Sequence, residues 1–153
     1  MKNFFKSVML IMGLMTVADC VLAHSQTGSL GKKTTGAAAT DVYLINCFDD
    51  ESGAGIPNKI FVHVKDNAPK LASEISVQII KSGLASVPSI DKVDADAGYS
   101  PAASLTKGAG DYTVLVNKSA TTAKGLENYA LEFHCQSASG VHTGTEWTMT
   151  QNQ

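Results

Sequence analysis

The chain contains no arginine: all 12 of its basic residues are lysine, set against 14 Asp and Glu. The planar fork that grips phosphate in two places is therefore missing, and the near-neutral balance supplies no basic face, so nucleic acid is not an expected ligand. Charge of either sign is scarce, at 17% of residues, while 44% are hydrophobic. That composition excludes wholesale disorder. Catalytic signatures are also lacking. There is no Gly-x-Ser-x-Gly, no His-Glu-x-x-His and no phosphate-cradling glycine loop. No Cys-x-x-Cys is present either, which removes the usual redox and zinc readings. What remains is a chain of 153 residues, the size of one domain.

Its apolar content is unevenly spread. Lys2 and Lys6 precede an apolar run from Val8 to Ala18, and a more polar stretch ends in Val21-Leu22-Ala23. This order reads as a secretory signal peptide over residues 1–23. The run is too short for the ~20 residues that a bilayer span requires. Asp19, just before Cys20, is a poor fit to a lipoprotein signal. Cleavage after Ala23 would remove Cys20 and leave His24 as the first residue. The expected location is the periplasm or the exterior, with an envelope or extracellular ligand as partner and no membrane span after cleavage.

Two cysteines would then remain, Cys47 and Cys135. An even count in an exported protein predicts a disulfide. Both lie in apolar, strand-like segments, which suits a staple between core strands.

Residues 24–40 are small and polar, with Leu30 the only large aliphatic, and predict a flexible or loosely docked arm. From Asp41 to the end, short alternating runs are separated by turn residues. Ile60, Val62 and Val64 alternate with Phe61, His63 and Lys65, and Tyr129, Leu131, Phe133 and Cys135 alternate with Glu132 and His134. For residues 74–81, the β-branched alternation of Ile75, Val77 and Ile79 outweighs a helical spacing of Leu71, Ile75 and Ile79. About seven strands result, and short one-sided strands bury best in two facing sheets. The prediction for residues 41–153 is all-β: an antiparallel β-sandwich, jelly-roll or Ig-like, with one disulfide.

Two segments, Gly110-Asp111-Tyr112-Thr113-Val114-Leu115-Val116 and Glu127-Asn128-Tyr129-Ala130-Leu131-Glu132-Phe133, carry a family resemblance. Together they resemble the end of pre-peptidase C-terminal domains, small secreted β-sandwiches. The resemblance implies a non-catalytic accessory or binding module, sometimes calcium-associated. The chain departs from that pattern by carrying no protease and by continuing with a strand after Cys135.

Three sets of residues can carry chemistry. The first is histidine. His24 at a free N-terminus would offer an amine and an imidazole to one metal ion, and His63, His134 or His142 could add nitrogen, a donor set suited to Cu(II). This points to a copper-binding protein, a chaperone or an oxidative enzyme, as the alternative to a general binding module for a protein, glycan or metal. The second is acidic: Asp91, Asp94 and Asp96 alternate before Gly98, resembling part of a calcium loop. Asp49, Asp50 and Glu51 form another acidic cluster. The third is an aromatic platform from Tyr43, Phe61, Tyr99 and Trp147, whose competing role is core packing.

Overall fold

The computed structural model describes residues 24–153. Residues 1–23, on which the expected leader, its cleavage point and Cys20 fall, lie outside the described residues. Ten strands run in the order β1 (His24–Lys32), β2 (Ala39–Phe48), β3 (Lys59–Asn67), β4 (Ile75–Lys81), β5 (Leu84–Ala85), β6 (Ser89–Asp91), β7 (Ala103–Leu105), β8 (Gly110–Lys118), β9 (Gly125–Gln136) and β10 (Gly144–Gln151). They form two antiparallel sheets, one ordered β1-β9-β3-β7 and the other β10-β2-β8-β4-β5, with β6 also paired to β4. No helix among the described residues is long and apolar enough to cross a membrane.

The alternation in sequence becomes the interior. Strand β3 turns Ile60, Val62 and Val64 inward, β4 turns Ile75, Val77 and Ile79, and β8 turns Tyr112, Val114 and Val116. Strands β2 and β9 complete the core with Ile45, Leu131 and Phe133 among others. A period-two pattern can bury one face of each sheet only against the other sheet, and the result is a β-sandwich. Cys47 on β2 and Cys135 on β9 join the two sheets through a disulfide, with Cα atoms 5.6 Å apart.

The N-terminal arm is docked over its first nine residues. Residues 24–32 form an edge strand that pairs with β9 from His24↔Phe133 to Lys32↔Gly125. Backbone hydrogen bonds, not side-chain burial, recruit this polar segment, and Leu30 anchors it in the core at 0% exposure. Gly28 shows why small residues are needed there. A Cβ at that position would stand 2.3 Å from the Tyr129 hydroxyl, so the strand can lie over Tyr129 only without one.

That hydroxyl belongs to a buried polar chain. Tyr129 Oη donates to Asp41 Oδ2 at 2.6 Å and meets Tyr43 Oη at 2.6 Å. The Gln153 backbone N–H donates to Asp41 Oδ1 at 2.8 Å, which ties the C-terminal residue to β2. Burial, and then the bonds to Asp41 and Tyr43, push the Tyr129 phenol far above its ordinary value, so it remains a donor. Tyr129→Phe is expected to cost about 2 kcal/mol in urea unfolding, because it strips a buried carboxylate of a donor. A loss below about 0.5 kcal/mol would show that Asp41 finds another partner.

Candidate functional site

Three of the four histidines, His63, His134 and His142, are drawn together on the outer face of the four-stranded sheet, while His24 lies at the edge of that sheet on its inward side. His63 on β3 and His134 on β9 occupy outward positions, since Phe61 pairs with His134 and His63 with Glu132. His142 lies in the turn before β10 and is bridged to Gln136. His24 opens β1, stacked on Phe133 with ring centroids 5.8 Å apart.

Rings continue across this face as a stacked file. His142 stacks on His134 at 4.0 Å, and His134 on Phe61 at 4.6 Å. Phe61 meets His63 edge-on at 5.2 Å, and His63 stacks on Tyr99 at 4.2 Å. The turn after Gln136 and the loop before β7 bring the two end rings, His142 and Tyr99, over strands that supply the middle three.

The electrostatics divide this file in two. At one end, Glu132 Oε2 lies 2.8 Å from His63 Nε2. Burial alone would raise the Glu132 carboxyl, but hydrogen bonds from His63 and Tyr99 outweigh it and hold the group below its ordinary range. Tyr99 is pushed up to about 12, first by burial and then by Glu132. At the other end, burial pushes His134 down to about 4, with the charges of His142, His63 and His24 acting in the same direction. His142 is also lowered, by burial and then by His24. His134 is therefore neutral near pH 7. The Nδ1 atoms of both His134 and His142 are buried and have no hydrogen-bond partner. Among the described residues, no three His, Cys, Asp or Glu side chains already stand in a metal-holding arrangement.

The aromatic platform is corrected. Phe61 and Tyr99 belong to this file, but Tyr43 is fully buried in the core. Trp147 sits elsewhere, leaning on Tyr43 and Phe133 at the rim between the sheets, 37% exposed.

The acidic residues are rearranged as well. Asp91 closes β6 and is buried, and Asp94 follows in the loop, half-buried. Asp96 is exposed, and its Oδ1 accepts the Gly98 N–H at 2.6 Å, so it shapes a local turn. Asp49 and Asp50 likewise accept N–H groups from Glu51 and Ser52 in an exposed turn. The partners of Asp91 and Asp94 are instead Asp66, at the end of β3, and Glu127, at the start of β9. Neither was singled out from sequence. The readable signal is phase: Asp66 continues the inward series of Val62 and Val64, and Glu127 that of Tyr129 and Leu131.

No family model matches the chain, and no curated protein matches its sequence.

Proposed function

We propose that the protein is an exported, non-catalytic binding module whose ligand is a nitrogen-seeking transition metal, Cu(II) foremost, bound where its histidines meet. The observation that carries this reading is the His134–His142 pair: two neutral-leaning, stacked imidazoles, each with a buried and unpartnered Nδ1. A neutral imidazole nitrogen is the commonest protein ligand for such metals, and nitrogen-rich sets favour Cu(II). Coordination requires the two rings to turn from face stacking to edge-on contact, a motion about the soft χ2 torsion. His24 lies within electrostatic range of both rings, and would have to leave its stack on Phe133 to add a third nitrogen. The Glu132 contact orients His63 as a neighbouring donor. Export accords with the inter-sheet disulfide, since such bonds persist in oxidising compartments. A glycan ligand is less well supported, because sugar stacking needs open ring faces and these are covered by one another.

Copper titration followed by electron paramagnetic resonance tests the reading. A single Cu(II) signal with nitrogen hyperfine structure is expected, and His134→Ala or His142→Ala should weaken binding by about 10–100-fold or more. N-terminal sequencing together with His24→Ala reports whether the strand-opening residue is a ligand. Binding that survives loss of both His134 and His142 would overturn the proposal.

A further inference from the structure

We propose that Asp66, Asp91, Asp94 and Glu127 form a Ca²⁺ site inside one end of the sandwich, independent of the histidine corner. These residues come from β3, from β6 with the loop that follows it, and from β9, so one ion would tie together three separate segments. Asp66 is 1% exposed, Glu127 0% and Asp91 7%. Four carboxylate oxygens here are buried without any hydrogen-bond partner: Asp66 Oδ1, both oxygens of Asp94, and Glu127 Oε2. Ser73 Oγ holds the other Glu127 oxygen. Asp91 is fixed by the N–H groups of Asp66 and Val93, at 2.7 and 3.2 Å, which aligns it beside the end of β3.

The charge is only partly compensated. Two lysines act on the cluster, Lys118 on Glu127 and Lys70 on Asp94. Lys118 spends its Nζ on the Ala37 carbonyl at 3.1 Å, and neither lysine forms an ion pair with these acids. The one close ion pair among the described residues is His63–Glu132, on the outer face. Buried carboxylates are tolerated when they are paired, protonated or bound to a metal. Oxygen donors with no nitrogen or sulfur select a hard cation, and Ca²⁺ accepts irregular sets of six to eight oxygens that Mg²⁺ does not. Among the described residues no three of these side chains already stand in a metal-holding arrangement, so binding requires the carboxylates to turn. Carboxylate rotation by the ion would converge the four free oxygens, with backbone carbonyls and water completing the shell.

The test is thermal unfolding and calorimetric titration of the full mature chain at pH 8, with CaCl₂, with MgCl₂, or with chelator, at matched ionic strength. Ca²⁺ at about a hundred times its Kd is expected to raise Tm by about 10 °C, with Mg²⁺ giving less than half of that. Asp66→Asn and Glu127→Gln should each weaken Ca²⁺ binding at least about tenfold, yet in chelator melt at or above the wild-type temperature. A merely structural pair of acids would give the opposite sign in chelator. Asp94→Asn, at the half-buried position, repeats the measurement if either core variant fails to fold. The proposal falls if wild type shows neither heat nor a Tm shift with Ca²⁺, if Mg²⁺ matches Ca²⁺, or if the variants respond as wild type does.

Discussion

Replacing Cys47 and Cys135 together by alanine is expected to lower the unfolding free energy by about 4–5 kcal/mol, read from urea denaturation. The bond closes a loop of 88 positions, so its loss returns to the unfolded chain the freedom of most of the domain. Loop-closure entropy grows only with the logarithm of length, and this long loop lies near the top of the usual range. The location adds to the effect. Both half-cystines are buried, and they join β2 in one sheet to β9 in the other. They also sit beside Thr145, whose Oγ1 accepts the Cys135 N–H at 3.1 Å. Since domains of this size are stable by roughly 5–15 kcal/mol, the double variant should lie near the edge of folding at 37 °C. A loss under 1 kcal/mol would mean that the reduced, unfolded chain already holds these segments together.

In chelator, Asp66→Asn is expected to match wild type at pH 4 and to exceed it by on the order of 2–4 kcal/mol at pH 8. Burial pushes the Asp66 carboxyl from its ordinary 3.8 up to about 7, and the charges of Glu127, Asp94 and Asp91 push in the same direction. Glu127 and Asp94 are themselves raised by burial, against the pull of Lys118 on the first and Lys70 on the second. A raised carboxylate means that the folded protein keeps a proton which the unfolded chain has released. The group is therefore neutral in its effect below pH 4, and its cost to the fold grows through the window up to about pH 7. Asparagine imitates the protonated acid, so the difference between variant and wild type isolates this cost. The wild-type profile alone would hide it, because lowered His134 destabilises the fold as pH falls from 6.5 toward 4. Urea unfolding at pH 4, 6 and 8 decides the matter: a constant difference would show that Asp66 does not titrate in this window.

The acidic loop shows how far spacing alone can be read. Asp91, Asp94 and Asp96 were readable as candidate cation ligands from their spacing. The third member, Asp96, was not separable from them by spacing, because a turn that uses a carboxylate for its own N–H has the same local sequence. Asp66 and Glu127 stand 61 positions apart in the chain, and the pairing of β3 with β9 alone makes them neighbours. The histidines tell the same story. His63 and His134 were legible as outward residues, but the stacking of His142 on His134 depends on how the turn after Gln136 folds back.

The strand at residues 24–32 marks the clearest boundary between the two kinds of information. Sequence by itself determined the sandwich, because alternation of apolar residues is a local property that specifies which face each strand must bury. It also pointed to the disulfide, because only two cysteines, Cys47 and Cys135, fall in apolar, strand-like segments. Tertiary structure alone decided β1, since an edge strand needs a neighbour's free N–H and C=O groups more than apolar side chains of its own. It decided the two sites for a related reason: coordination is a matter of distance, and distances between remote segments are set by register.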